Sequence, residues 1–257
     1  MAELDGTPVG LDQLQALALT NYGHFTSMRV EDGRVRGLAL HLERLVRDCR
    51  AVFDVALDAE RVRDLVRRAV PAVGTRVVRV TVFDPDLDLG HMGGHARPRV
   101  LVTSRPTSDL PLPPLRVGSV AFVRDMPAVK SVGLFGALRH RRDMQRAGFD
   151  DALFVDGDSF VSEGGTWNIG FVRGDQVVWP EAECLAGTTM ELVKQVHHCI
   201  TRPLTLTDAA DFEAAFATNV AIGVRAVASI DHHQLSPTHP TIEALHRKYL
   251  AVPGDPV

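Results

Sequence analysis

Long apolar runs, paired cysteines and an excess of one charge are all missing from this sequence. No stretch approaches the roughly 18 apolar residues that a membrane-spanning helix needs. The opening residues, MAELDGTPVGLDQLQALALT, are acidic where a secretory leader is basic. The expectation is a cytoplasmic protein with no membrane partner. Cys49, Cys184 and Cys199 are odd in number and show no CxxC spacing, which excludes a disulfide framework and a zinc ribbon. A net charge of -4, with arginines interspersed among Asp and Glu, gives no reason to expect nucleic acid. GxxxxGK[ST], a strand-anchored GxGxxG and GxSxG are absent, so the common nucleotide, dinucleotide and serine-hydrolase sites are not expected. His91 and His95, His197 and His198, and His232 and His233 lack partners at metal-ligand spacing, and no metal is expected. Small molecules and copies of the chain itself remain as partners.

What is present is enough apolar residue for one large or two modest cores: 257 residues, 45% hydrophobic. Residues 22–30 read as a strand, 31–34 as a tight turn and 35–38 as the returning strand. Leu42, Leu45, Val46, Cys49 and Phe53 recur at helical spacing, with Arg44, Arg47, Asp48 and Arg50 at the other positions. A second helix starts at an Asp58 N-cap and ends at Pro71. Strands at 76–83 and 99–104 flank a long Gly/His/Asp loop. Four prolines in RPTSDLPLPPLR mark a linker. Beyond it the sequence predicts a strand at 117–123, a helix over about 131–147, strands in DALFVD, TWNIGFVR and QVVW, and a helix after Gly187. A helix over about 208–216, a long apolar strand over 217–230 and a short C-terminal helix complete the order. This is a mixed α+β (α/β) pattern with antiparallel neighbours. The domains expected are 1–105, a linker at 106–116, and 117–257.

Five segments carry a resemblance, in order and in register from about residue 20 to 230. GHFTSMRVEDGRV with LHLERL, VKSVGLFGALRHRRDMQRAGFDDALFVD, VSEGGTWNIGFV, CLAGTTMELV and ATNVAIGVRAV are together similar to the class IV aminotransferases, the fold-type IV pyridoxal-phosphate enzymes. The likeness lies near the branched-chain and D-amino-acid aminotransferases and the 4-amino-4-deoxychorismate lyases. It implies a smaller N-terminal α/β domain, a larger C-terminal domain on a β-barrel-like sheet, pyridoxal 5'-phosphate in the crevice between them, and a homodimer.

The resemblance makes Lys130 the lysine that carries the cofactor as a Schiff base. Its apolar neighbours Val129, Val132 and Leu134 disfavour the charged amine and suit that chemistry. Glu163 in SEGG becomes the partner of the pyridine nitrogen, with the two glycines admitting a flat ring. Arg44 becomes the phosphate-binding arginine. Gly187, Thr188 and Thr189 place N–H groups and a hydroxyl at a helix start, where an anion is favoured, and Asn219 and Val220 form a second phosphate segment. Phe25 and Ser27 lie on the strand that lines the pocket in relatives, and Arg97 in the long loop is a candidate for a substrate carboxylate. Three positions depart from the pattern: Met190 replaces an arginine, Phe135 stands where branched-chain enzymes have a tyrosine, and Val220 stands where Thr or Ser is common. The activity implied is transamination between an amino acid and a keto acid. The alternatives are elimination of pyruvate in the manner of 4-amino-4-deoxychorismate lyase, and a non-catalytic protein of the same fold.

Overall fold

The computed structural model describes residues 1–107 and 110–257. The chain divides into two compact units. The first comprises Met1–Ser108, Val129–Gly133 and Pro253–Val257; the second comprises Asp109–Ala128 and Leu134–Val252. The single boundary expected from sequence is thus replaced by a chain that returns to the first unit twice, once at the Lys130 segment. The expected linker includes Ser108 and Asp109, which lie outside the described residues.

In the first unit, β1 (Ala2–Leu4), β2 (Thr7–Pro8) and α1 (Leu11–Thr20) precede β3 (His24–Glu31) and β4 (Arg34–Arg36). The hairpin between β3 and β4 turns on Asp32 and Gly33, both at positive φ, which is the backbone a tight two-residue turn demands. Then come α2 (Leu38–Phe53), α3 (Ala59–Ala69), β5 (Thr75–Phe83) and β6 (Arg99–Pro106). The α3 N-cap is as expected, with the Asp58 carboxylate accepting from the N–H groups of Glu60 and Arg61.

The sheet order is β16-β4-β3-β5-β6-β1-β2, where β16 is Gly254–Pro256 at the chain end. One face, through Met28, Val30, Val78, Val80, Val82, Val100 and Val102, packs on Leu45 and Cys49 of α2 and Val62 and Leu65 of α3. By alternation along the strands, Phe25, Ser27, Arg79 and Thr81 occupy the opposite face.

The second unit holds β7 (Leu115–Ala121), α4 (Phe135–Arg146), β8 (Asp151–Val155), β9 (Val161–Gly164), β10 (Asn168–Arg173), β11 (Gln176–Pro180) and α5 (Thr188–Val196). These are followed by β12 (Cys199–Arg202), α6 (Leu206–Ala209), β13 (Ala214–Asn219), β14 (Gly223–Ile230), β15 (His233–Gln234) and α7 (Pro240–Ala251). Its sheet order is β12-β11-β10-β13-β14-β7-β8-β9, with β15 on β14. The edge strand β9 leads back to β10 through a turn closed by Gly164 N–H donating to Trp167 O at 2.7 Å, so the sheet curls on itself. The curl encloses Val117, Leu153, Val161, Ile169, Phe171, Ala215 and Val227.

Four expectations fail here. The helix expected from residue 131 starts at Phe135, because Ser131 forms a β-bridge with His24 instead. The strand expected over 217–230 is a hairpin of β13 and β14. Asn219 Oδ1 accepts from the N–H groups of Ala221 and Ile222 at 2.8 and 3.0 Å, and Gly223 at φ +60° completes the turn. The helix expected over 208–216 shrinks to α6, because Ala214, Ala215 and Phe216 are claimed by pairing of β13 with β10. Ile200, expected on the helix after Gly187, lies in β12.

Candidate functional site

In the first unit the candidate residues gather where one edge of β3 is left open. Strand β4 pairs only with Val30 and Glu31, and at the other end of that edge the Lys130 segment adds itself. Phe25 N–H donates to Lys130 O at 2.8 Å and Val132 N–H donates to Gly23 O at 3.0 Å. Lys130 N–H in turn donates to Asp48 Oδ2 at 2.9 Å. The Lys130 backbone is therefore fixed on both sides, while its Nζ lies 4.9 Å from the centre of the Phe25 ring. Phe25 is buried, and the Arg79 guanidinium stacks on the same ring at 3.6 Å. Ser27 shares that face, cross-strand from Arg79.

Arg44 is buried, although the helical pattern of α2 gave it to the polar face with Asp48, which is also buried. Arg44 Nη2 donates to Thr26 Oγ1 at 2.5 Å, and this hydroxyl lies 2.7 Å from His41 Nδ1. An acceptor Nδ1 fits a neutral imidazole. Burial, then the Arg44 charge, then Lys130 hold His41 well below its ordinary pKa. Burial also brings Arg44 down to about 10, opposed by the Asp48 carboxylate, which leaves the guanidinium charged at neutral pH. His24 is fully buried with no partner among the described residues on either ring nitrogen, and burial lowers it to about 4, opposed by the Asp48 carboxylate.

Arg97 is not part of this group. Its N–H donates to Asp84 Oδ2 at 2.7 Å, and it lines a cavity of about 530 Å³ with Asp5, Asp58, Arg61, Asp86 and His95. Arg79 was missed by the sequence reading; the visible signal was an arginine inside an otherwise apolar strand, RVVRVTVF.

In the second unit Glu163 is buried near the end of β9. Arg124 Nε donates to its Oε1 at 2.7 Å, and Leu185 N–H approaches Oε2 at 3.4 Å. The two glycines after it stand where packing leaves no space for a side chain. A Cβ on Gly164 would stand 2.0 Å from Trp167, and one on Gly165 would stand 2.9 Å from Asp151 Oδ1. Trp167 Nε1 donates to Asp151 Oδ2 at 2.9 Å, and Arg141 pairs with the same oxygen at 2.7 Å, so the turn that bears Glu163 is braced from beneath.

The same turn reaches both proposed phosphate segments. Asn168 Nδ2 donates to Leu185 O at 2.7 Å, and Gly187 has no room for a Cβ, which would lie 2.1 Å from Asn168 Oδ1. Asn219 Nδ2 donates to Thr166 O at 3.0 Å. Asn219 thus builds its own turn and ties it to the Glu163 turn, and Val220 sits within that turn. Gly187 is the N-cap of α5 and gives no side-chain cap, with Thr188 and Thr189 in the first helical turn. Thr189 is fully buried, and among the described residues neither its hydroxyl nor that of the buried Thr218 has a partner. An uncapped helix N-terminus with an unsatisfied buried hydroxyl suits an anion such as a phosphate. Met190 packs its side chain into the core, and Phe135 is 78% exposed at the start of α4.

The profile of amino-transferase class IV matches residues 23–230, from the start of β3 to the end of β14. The chain belongs to the class IV aminotransferase family. It is an enzyme, a transferase of the aminotransferase type, in a family that depends on pyridoxal 5'-phosphate. A putative branched-chain-amino-acid aminotransferase of Methanocaldococcus jannaschii is 28% identical over 234 residues, covering 81% of this chain and 78% of that protein. The branched-chain aminotransferase of Thermoproteus uzoniensis, solved with norvaline, superposes with a TM-score of 0.83 at 22% identity, over 97% of this chain and 93% of that one. A hypothetical aminotransferase of Mycobacterium tuberculosis, solved in a PLP-bound form, gives 0.82 at 20% identity, over 98% of each chain. These likenesses establish the fold-type IV architecture. No helix among the described residues is long and apolar enough to cross a membrane, and none of their His, Cys, Asp and Glu side chains form a group of three that could hold a metal.

Proposed function

We propose that this class IV aminotransferase moves an amino group between an amino acid and a keto acid, with Lys130 as its covalent anchor and proton carrier. The observation that supports this best is the clamped Lys130 backbone: both main-chain groups are bonded, so motion is confined to the side chain that reaches over Phe25. The unsatisfied Thr189 hydroxyl at the α5 N-terminus supports a phosphate there.

In this reading Arg44, Gly187, Thr188, Thr189, Asn219 and Val220 hold the phosphate of pyridoxal 5'-phosphate, by one guanidinium and two sets of backbone N–H groups. When bound, the cofactor supplies an electron sink for the charge left on the substrate α-carbon. Glu163, ion-paired with Arg124, would face the ring nitrogen and favour its protonated form. With the cofactor bound, Lys130 Nζ would accept the α-proton of the substrate and donate it back, so that one amine would serve as tether and as general acid/base. Phe25 and Ser27 line the substrate side. Arg79 is better placed there than Arg97 to meet a carboxylate: among the described residues its one polar partner is Thr81 Oγ1, reached through Nε at 3.2 Å, which leaves both Nη groups available. The relatives' names make branched-chain amino acids the first donors to try.

We also place the enzyme in the cytoplasm, where its three free cysteines stay reduced, and as a homodimer. Exposed Phe135, Leu138, Val123 and Met126 supply apolar surface for a second copy.

The test is the visible spectrum of the purified protein with pyridoxal 5'-phosphate, before and after amino acids are added singly. A band that decays with one donor while its keto acid accumulates supports transamination. A band that persists with every donor while aminodeoxychorismate gives pyruvate and 4-aminobenzoate would replace it with the lyase, and no band at all would leave a non-catalytic protein.

A further inference from the structure

We propose that Asp48 is a positioning residue, a buried strut that sets the Lys130 backbone and the Arg44 guanidinium at a fixed separation; this rests on the cofactor reading above. Asp48 follows Arg44 by one helical turn on the same face of α2. Its Oδ2 accepts from Lys130 N–H at 2.9 Å, and its Oδ1 accepts from Arg47 Nη2 and Nε at 2.8 and 3.1 Å. The carboxylate is 0% exposed, a placement that costs free energy unless each oxygen is satisfied, as both are. A carboxylate used only to stabilise a helix could sit at the surface, as Asp64 does with Arg67.

The segment that Asp48 grips is a short visitor to the first unit, five residues long, entered and left by chain belonging to the second. Hydrogen bonds with Phe25 of β3 and with Gly23 just before it hold the segment from one side, and Asp48 holds the Lys130 main chain from the other. Because α2 is one rigid body, the bond to Lys130 and the bond from Arg44 to Thr26 are made by the same helix and cannot drift apart. The side chains facing the carboxylate, Arg47, Arg44 and His24, are cationic or basic, and the Lys130 amide donates to it. Its charge therefore also supports the positive form of whatever nitrogen Lys130 presents.

Asp48→Asn keeps an acceptor and removes the charge, whereas Asp48→Ala removes both. In the cofactor-free protein, Ala speeds backbone hydrogen exchange in residues 129–133 about tenfold or more with β5 unchanged, and Asn leaves it near wild type. With pyridoxal 5'-phosphate, Ala weakens retention about tenfold, as expected for a lost charge-assisted hydrogen bond. Asn retains the cofactor, but the pH midpoint of its visible absorbance falls by about one unit, since a nearby negative charge is gone. Borohydride reduction of wild type, followed by peptide mass analysis, separates the two levels of failure. No label at Lys130 removes the cofactor reading and the strut with it. A label at Lys130 with exchange, retention and midpoint unchanged in both variants overturns the strut alone, as does exchange raised equally through β3, β5 and β6 in the Ala variant.

Discussion

The two units equip their candidate sites in different ways. In the first, polar side chains from one helix do the holding: Arg44, His41 and Asp48 project from α2, are buried, and bond to Thr26 and the Lys130 backbone. In the second, backbone groups are presented by turns, and side chains such as Asn168, Asn219, Trp167 and Asp151 shape those turns. A site made of side chains is sensitive to residue identity at the functional position. One made of backbone is sensitive to the residues beneath it and tolerant at its surface. On the proposed reading, Met190 and Val220, two departures from the family pattern, both fall in the second unit, where backbone groups would do the holding.

The largest contrast should come from Lys130→Ala, expected to lower transamination by about 10⁴-fold or more with the fold retained, because tether and proton carrier go together; single-turnover rates with a donor amino acid measure it. Arg44→Ala should weaken cofactor retention by roughly 10 to 100-fold, and Arg44→Lys should not fully restore it, since a lysine cannot reproduce the planar fork. Equilibrium dialysis decides between them, and full rescue by Lys would show that the first unit needs only charge.

Acid should loosen the first unit. His24 sits at about 4 in the fold against an ordinary 6.5, so the unfolded chain binds the extra proton in that interval. Stability is complete above about pH 6.5 and falls as pH drops towards 4, by roughly 3 kcal/mol from this one group. Denaturant titrations of wild type and His24→Leu across that range should diverge in slope; parallel curves would show that His24 is hydrated. Thr189→Val should give the smallest effect and the sharpest one. Removing an unsatisfied buried hydroxyl leaves the cofactor-free protein as stable or about 1 kcal/mol more so, while cofactor retention falls only a few-fold, because backbone N–H groups remain. A loss of several orders of magnitude would mean that the second unit also grips through side chains.

Much of this was legible in the sequence where local rules act alone. The Asp58 cap, the Asp32-Gly33 hairpin and the β-rich run of β5 depend on neighbours a few residues away, and they appear as expected. Arg44 and Asp48 were read onto the polar face of α2 because charge normally marks solvent, and only their distant partners in β3 and at Lys130 keep them buried. The same applies to residues 131–134, whose helical prospects lose to a β-bridge with His24, more than one hundred residues earlier. Arg124 could not be linked to Glu163, nor Arg79 to Phe25, without the strands that bring them together.

By itself the sequence determined the family and the order of the segments, since these are carried by residue types at fixed spacings along one chain. Tertiary structure alone decided which charges are buried, which oxygen steadies the Lys130 backbone, and that the two glycines after Glu163 make room for Trp167 and Asp151. Those are consequences of burial and hydrogen bonding between segments far apart in the chain, and spacing along the chain does not encode the distance between them.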